Sequence, residues 1–350
     1  MTQVTSQTPA GHDDQVAAAV SPEPPLTRRI PACTVTAMLA TAARAPSVHN
    51  TQPWRFAVGT HAIDLYADPA RKLSQDRPGR EMLISCGAAL FGLRLAIREL
   101  GYLPAVSLFP VPSRLGLLAR VTLGPKAPAT AMERRMLAAL PHRPTHRGAV
   151  DPGPVPAGLL ARLQHDALAE GATLALIDSP GKYAKLAALV AEATRMQALN
   201  PAAREEILRW TRAPGSPARD GVPAAAFAAS GATAPGRLAQ RDFDQGRNVG
   251  LLPGPEPDEP PPAATAVLVT PGDSRADWLR AGQALHRVLA HAATVWVSAS
   301  LHTQSLEFPA IRDIIRTRLA LPGRVQMVLQ FGPAHSSMSA ARRPVPDFLI

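Results

Sequence analysis

Residues 45–56 read APSVHNTQPWRF, and this short stretch places three polar side chains, Ser47, Asn50 and Gln52, directly after Pro46, which fixes the backbone. Short polar side chains on a rigid turn present donors and acceptors to a flat heterocycle at small entropic cost. The same residues also suit an Asx or ST turn that closes a helix and opens a strand, with Trp54 as core. Far downstream, Arg143-Pro144-Thr145-His146-Arg147 sets two guanidiniums on either side of a hydroxyl. That pattern offers a phosphate charge and several donors on one side of a turn, although a solvated basic loop between domains would read alike. Near the end, Gln304-Ser305-Leu306-Glu307-Phe308 stands where a helix begins, so that Ser305 or Glu307 can satisfy orphan amides. Arg342-Arg343 close the set as a basic pair of a kind usually left in solvent.

Other residues invite chemistry that their spacing does not support. His49 has no carboxylate or nucleophile at an identifiable distance, so it reads as a turn or packing residue, not a general base. His142, His146, His286 and His291 assemble no metal pattern, since His286 and His291 are five apart and point to different helix faces. Cys33 and Cys86 fit neither a disulfide framework nor a metal site, and a reducing cytoplasm is the expected compartment. No Gly-x-Gly-x-x-Gly fingerprint marks a dedicated dinucleotide fold. A nicotinamide donor would therefore have to stack transiently on another cofactor.

Composition bounds the partners. The 350 residues include 37 Lys and Arg against 27 Asp and Glu, but the arginines are scattered and aromatics make up only 4%. Without a basic run or an interleaved stacking platform, nucleic acid is not an expected partner. No stretch has the apolar length of a membrane span, and residues 1–30 lack a basic start followed by an apolar run. Apolar residues reach 46% with few aromatics, so the interior is filled mainly by Ala, Leu and Val.

These residues must be positioned by regular elements. Residues 1–30 are polar, Pro-containing and aperiodic, which reads as a flexible arm. Val35, Met38, Leu39 and Ala42 then repeat at helical spacing up to Pro46, and a hairpin follows over 54–65. An amphipathic helix is expected over 81–100, ended by Gly101, with strands at 105–109 and 118–123 and a helix over 130–140. Helices over 156–170 and 181–212 flank a strand at 173–177. Residues 213–262, dense in Pro, Gly and Ala, are too long for an ordinary connection and read as a lid loop. A strand at 266–270, a helix from 275, a helix over 310–319 and a strand at 325–331 complete the chain. Two local patterns recur in the same order: Gly87-Ala88-Ala89-Leu90 returns as Gly282-Gln283-Ala284-Leu285, and Val121-Thr122-Leu123-Gly124-Pro125 as Leu329-Gln330-Phe331-Gly332-Pro333. This order suggests a duplicated unit.

The run Pro46-Ser47-x-x-Asn50-x-Gln52-Pro53-Trp54 before a hydrophobic strand resembles the signature with which flavin-dependent nitroreductases place one subunit's loop against the flavin of the other. With Ser85-Cys86-Gly87-Ala88-Ala89-Leu90 and the Pro-rich mid-chain segment, the chain is similar over most of its length to the Acg family of FMN-binding, nitroreductase-like proteins. The resemblance implies an α+β nitroreductase-like fold in which two similar units, 31–140 and 141–350, are fused into a pseudo-dimer around one FMN. Such a fusion fits a monomer or a weak homodimer. It implies flavin contacts from Pro46, Ser47, Asn50 and Gln52, and from Arg143, Thr145, Arg147, Glu307, Arg342 and Arg343. Ordinary nitroreductases carry an Arg-x-Ser-x-Arg/Lys phosphate element; none precedes Val35, and Arg143 to Arg147 repeats its spacing at the start of the second unit. The segment around Glu307 resembles the one whose backbone N–H approaches flavin N5. The implied activity is hydride transfer through N5 from NAD(P)H to a nitro, quinone or similar acceptor, with no side chain essential as acid or base. The alternative is an FMN-sequestering protein whose lid leaves little turnover.

Overall fold

A computed structural model describes residue 1 and residues 28–143, 154–228, 238–251, 264–333 and 340–350. Most of the N-terminal arm therefore lies outside the described residues. Helix α1 (Ala32–Ala42) buries Met38, Leu39 and Ala42, the stripe expected from their spacing. It stops before Pro46, which disfavours the helical region for its predecessor. Strands β1 (Trp54–Val58) and β2 (Ala62–Ala67) form the expected antiparallel hairpin, with Trp54 opposite Ala67 and Val58 opposite Ile63. Helix α2 (Arg80–Glu99) leads into β3 (Tyr102–Leu108) and β4 (Leu117–Lys126). Helix α3 (Ala131–Ala139) follows, started by a capping box between Thr130 and Glu133.

The second half carries its elements in a similar order, with an insertion after its first strand and a further helix between its last two strands. Helix α4 (Leu159–Ala169) and strand β5 (Thr173–Leu176) come first. The insertion holds α5 (Pro180–Leu199), α6 (Pro201–Trp210) and the two-residue parallel pair β6 (Thr211–Arg212) and β7 (Val222–Pro223). Then come β8 (Ala264–Thr270), α7 (Arg275–Ala293), β9 (Val297–His302), α8 (Pro309–Arg318) and β10 (Arg324–Pro333). The first sheet has the order β1-β2-β4-β3 and the second β5-β8-β10-β9, all antiparallel. In both, the long central helix separates one hairpin-like pair of strands from the other. The mixed helix and sheet content is that of an α+β protein.

Helices α2 and α7 cross at the centre of the molecule, and glycine permits the crossing. A Cβ on Gly87 would stand 2.2 Å from the Leu279 carbonyl oxygen, and one on Gly282 would stand 1.9 Å from that of Ile84. These are the glycines of the repeated sequence pattern. The chain end binds the halves a second time: Phe348 is fully buried edge-on against Phe56, and Ile350 N–H donates to the Phe56 carbonyl at 2.9 Å. The last residues thus complete the core of the first sheet.

Three expectations are corrected. The helix over 181–212 is two helices, because Pro201 occupies the first turn of α6 and Asn200 caps it, accepting from the amides of Ala202 and Ala203. Strand β9 was not expected: Val-Ser-Ala-Ser-Leu-His lacks a β-branched run, and it is specified by pairing with β10 along six positions. Helix α2 is buried on nearly every side instead of presenting a solvent face, since α1, the first sheet and α7 surround it.

Candidate functional site

A narrow cleft with a cavity volume of about 90 Å³ opens between the halves. One wall is the stretch Pro46 to His49 together with Glu81, Ile84 and Ser85 of α2. The facing wall is mostly apolar: Leu285 and Leu289 from α7, Ala299 and Leu301 from β9, and Met327 from β10. Arg143 stands shortly after α3, at the start of the second half, and Gln240, Arg241 and Phe243 arrive from the mid-chain segment.

The backbone of the motif is strained. His49, Asn50 and Gln52 have φ of 48°, 55° and 51°, values that L residues adopt sparingly and that cost on the order of 1–3 kcal/mol each outside glycine. Side chains hold this conformation. Asn50 Nδ2 donates to the Gly221 and Ala341 carbonyls, both at 3.1 Å, and Gln52 Nε2 donates to the Arg219 carbonyl at 2.8 Å. Gln52 Oε1 accepts from Arg343 N–H at 2.9 Å, and Ser47 Oγ accepts from Gln52 N–H at 3.0 Å. Asn50 and Gln52 are thereby directed to the mid-chain segment and the chain end, while Pro46 and Ser47 face the cleft.

Charge is divided between two regions of the lining. Arg143 is buried; one guanidinium nitrogen donates to the Arg44 carbonyl at 3.0 Å, and its Nε has no partner among the described residues. Burial and the neighbouring Arg44 push its pKa down to about 10, so it stays a cation at neutral pH. Behind it, His286 is pushed down to about 3 by burial and by Arg143, and donates through Nδ1 to the Ala88 carbonyl at 2.6 Å as the neutral ring. In the second region, Glu307 accepts from Arg241 at 2.5 Å and from Gln197. Glu81 Oε1 meets Arg80 at 3.3 Å, and Glu81 Oε2 is buried with no partner among the described residues. Burial pushes Glu81 well above the usual carboxylate range, and the nearby Glu307 pushes it further.

Of the residues expected at the site, the structure brings Pro46, Ser47 and Arg143 to the cleft, with Glu307 directly behind Arg241. Arg342 lies against the motif backbone, donating to the Ala43 and Ala45 carbonyls, and Arg343 binds the Gln52 carbonyl and the Asp347 carbonyl. Thr145 and Arg147 lie outside the described residues. Glu81, Ser85, Arg241, Phe243 and Thr303 line the cleft without having been expected there. Glu81 had a legible signal: it is one helical turn before Ile84 and Ser85, a carboxylate on the face that continues into a run of small apolar residues. Among the described residues no group of three His, Cys, Asp or Glu is placed to hold a metal, and no helix is long and apolar enough to cross a membrane.

Fold and cleft together define an α+β protein with a cleft between two sheet-and-helix layers and a buried arginine in its lining. No family model matches the chain. Individual relatives do. A Mycobacterium tuberculosis protein provisionally named NAD(P)H nitroreductase Rv3131 is 34% identical over 304 residues, 85% of each chain. The uncharacterised protein Rv3127 of the same organism is 30% identical over 318 residues, 87% of this chain and 88% of the relative. A third, provisionally named NAD(P)H nitroreductase acg, is 28% identical over 311 residues, 87% of this chain and 92% of the relative. The chain belongs to the Acg-like nitroreductase family.

Proposed function

We propose that the chain binds FMN in this cleft and is an oxidoreductase of the nitroreductase type, using NAD(P)H to reduce a nitro, quinone or similar acceptor. The observation that carries the reading is Arg143: a buried guanidinium with a spare donor, in a cleft whose facing wall is apolar, calls for a ligand with an anion at one end and a flat ring system beyond it. FMN has that shape, and the donor set fits it. Arg143, with Thr145 and Arg147 of the same stretch, would take the phosphate. Ile84, Leu285, Leu289 and Met327 would cover ring surface, and Ser47 would meet a ring edge. Arg342 adds positive potential in this region, which His286 feels as a lowered pKa. Asn50, Gln52 and Arg343 serve by fixing the strained backbone from which Ser47 projects. Bound FMN supplies the hydride chemistry at its N5, and Glu307 belongs to the turn that would approach it. The matching strand order of the two sheets supports reading residues 31–140 and 141–350 as fused units of a pseudo-dimer, for which a monomer is sufficient.

The test is an absorbance scan of the purified protein followed by identification of the released chromophore. Flavin bands and FMN are expected, with Arg143→Ala purified largely colourless. A wild-type protein that stays colourless after incubation with FMN would refute the reading.

A specific observation also favours a lid-covered, storage-like variant. The mid-chain segment enters the cleft through Arg241, paired with Glu307, and through Phe243, whose ring meets His49 edge-on at 5.5 Å. If this segment closes the site, NADPH will not bleach the intact flavoprotein, while an Arg241→Ala, Phe243→Ala variant will bleach. Rapid bleaching of the intact protein would exclude storage. Substitution is preferable to deletion here, because Arg219 and Gly221 of the same segment hold Gln52 and Asn50.

A further inference from the structure

Four charged side chains meet at one part of the cleft, and their contacts are unequal. Glu307 is fully served, accepting from Arg241 and from Gln197. Arg80 is spread over the Gln326 carbonyl at 3.0 Å, the Gln326 side chain at 3.2 Å and the Leu306 carbonyl at 3.5 Å, and touches Glu81 only at 3.3 Å. Among the described residues Glu81 thus has one long contact on Oε1 and none on Oε2, although only 5% of the residue is exposed. Of two neighbouring carboxyls in a dry site, the one with more and shorter donors keeps the negative charge, and the other is the cheaper place for a proton. A proton on Oε2 turns a bare acceptor into a donor on a side chain that lines the cleft.

We propose that Glu81 is a neutral carboxyl that recognises the cleft ligand by donating from Oε2 to a carbonyl oxygen or ring nitrogen of a flat, uncharged heterocycle. This rests on the flavin reading for the identity of the ring but not for the proton. The surroundings all bear on the same group. Glu307 and Asp76 favour its protonated form, whereas Arg80 and Arg241 oppose it. Asp273 and Arg312 act on Arg80, and His49 and Arg143 line the same cleft. Desolvation exceeds each of these single charges. Arg143 then selects the anionic tail and Glu81 the ring, so the two ends of a ligand are read by independent groups.

Three proteins test this: wild type, Glu81→Gln, which keeps a neutral donor of the same shape, and Glu81→Leu, which keeps only the volume. Infrared difference spectra of the unliganded wild type against Glu81→Gln at pH 7 should show a protonated carboxyl band belonging to Glu81. Its absence overturns the proposal whether or not flavin binds. FMN and riboflavin are then titrated into stripped protein by fluorescence quenching between pH 7 and 9. Glu81→Leu should bind both probes about tenfold more weakly, the effect of one lost hydrogen bond. Glu81→Gln should recover most of that affinity. Wild-type affinity should fall with rising pH wherever Glu81 ionises, and Glu81→Gln should not follow it. Equal affinities for all three proteins overturn the proposal while leaving the flavin reading intact. Failure of the wild type to bind either probe overturns the flavin reading and, with it, the assignment of the ring.

Discussion

The α2–α7 crossing is the feature on which the cleft depends, and a single methyl group tests it. Gly282→Ala would place a Cβ 1.9 Å from the Ile84 carbonyl oxygen and 2.7 Å from the Ala88 nitrogen. Ordinary contact needs about 3.4 Å, so the two helices must separate by roughly 1.5 Å, and both obstacles are backbone that cannot rotate away. Overpacking in a well-filled core costs about 1–3 kcal/mol, and a clash of two helix backbones belongs at or above the top of that range. We expect a loss of about 3 kcal/mol or more and a fall in Tm of about 5 °C or more. The loss should extend to ligand retention, since α2 carries Glu81, Ile84 and Ser85 and α7 carries Leu285 and Leu289 into the cleft. Gly181→Ala is the matched control. It lies in the first turn of α5 with no atom within 4 Å of the added Cβ, so it should stabilise by about 0.4–1 kcal/mol. Urea unfolding followed by circular dichroism measures both. A Gly282→Ala protein within about 1 kcal/mol of wild type would mean that glycine at the crossing is not required by packing, and the account of the repeated glycines would fall.

Further outcomes follow from buried polar groups. His286 and His302 are pushed down to about 3 and about 4 by burial, below an ordinary value of 6.5. Both are neutral in the folded state and take up protons more readily when unfolded, so their stability is present above pH 6.5 and lost as pH falls toward 4. Each should cost about 2–3 kcal/mol between pH 6.5 and 4.5, and urea melts at the two values with His286→Gln as comparison will show whether the slope shrinks. Asn50→Ala removes the donor to two carbonyls and leaves a residue with φ near 55°, for a loss of about 2–3 kcal/mol. Asn50→Gly should lose about 1 kcal/mol less; equal losses would show that the positive φ carries no strain. Phe348→Ala empties a fully buried site in the first sheet's core, and a cost of about 3–5 kcal/mol is expected; a smaller one on denaturant melting would mean that the chain end is a dispensable tail.

What could be read from the sequence was what local pattern dictates. Helix α1, the first hairpin, α2, α7 and β10 follow from periodicity, Gly101 and Pro46 from stop chemistry, and the paired Gly87 and Gly282 from repetition. Strand β9 was hidden because its Ser, Ala and His gain strand character only by lying beside β10. The mid-chain segment looked featureless, yet Val222, Ala224, Phe227 and Phe243 bury a small cluster with Ile207 of α6. Such isolated apolar residues have no period, and only the fold brings them together. The same holds for the lining of the cleft. Ser47 and Arg143 belong to local patterns, whereas Glu81 and Arg241 are ordinary charges until the surrounding elements remove water from them.

The motif that first attracts attention divides its work between two tasks. Its three polar side chains looked equivalent, but Ser47 braces the turn locally by accepting from Gln52 N–H, while Asn50 and Gln52 bind distant parts of the chain. Asn50 and Gln52 reach Arg219, Gly221, Ala341 and the Arg343 amide, all from late in the chain, and without these partners three non-glycine residues at positive φ would relax. The cleft wall from Pro46 to His49 therefore acquires its shape only when the second half and the chain end are in place. A wall assembled in this way cannot be built by residues 31–140 alone. Arg219 and Gly221, which hold the motif, and Arg241 and Phe243, which line the cleft, all belong to the mid-chain stretch, so the wall and part of the facing lining depend on the same part of the sequence. Any change that loosens the mid-chain segment must therefore also be weighed against the strained turn it restrains.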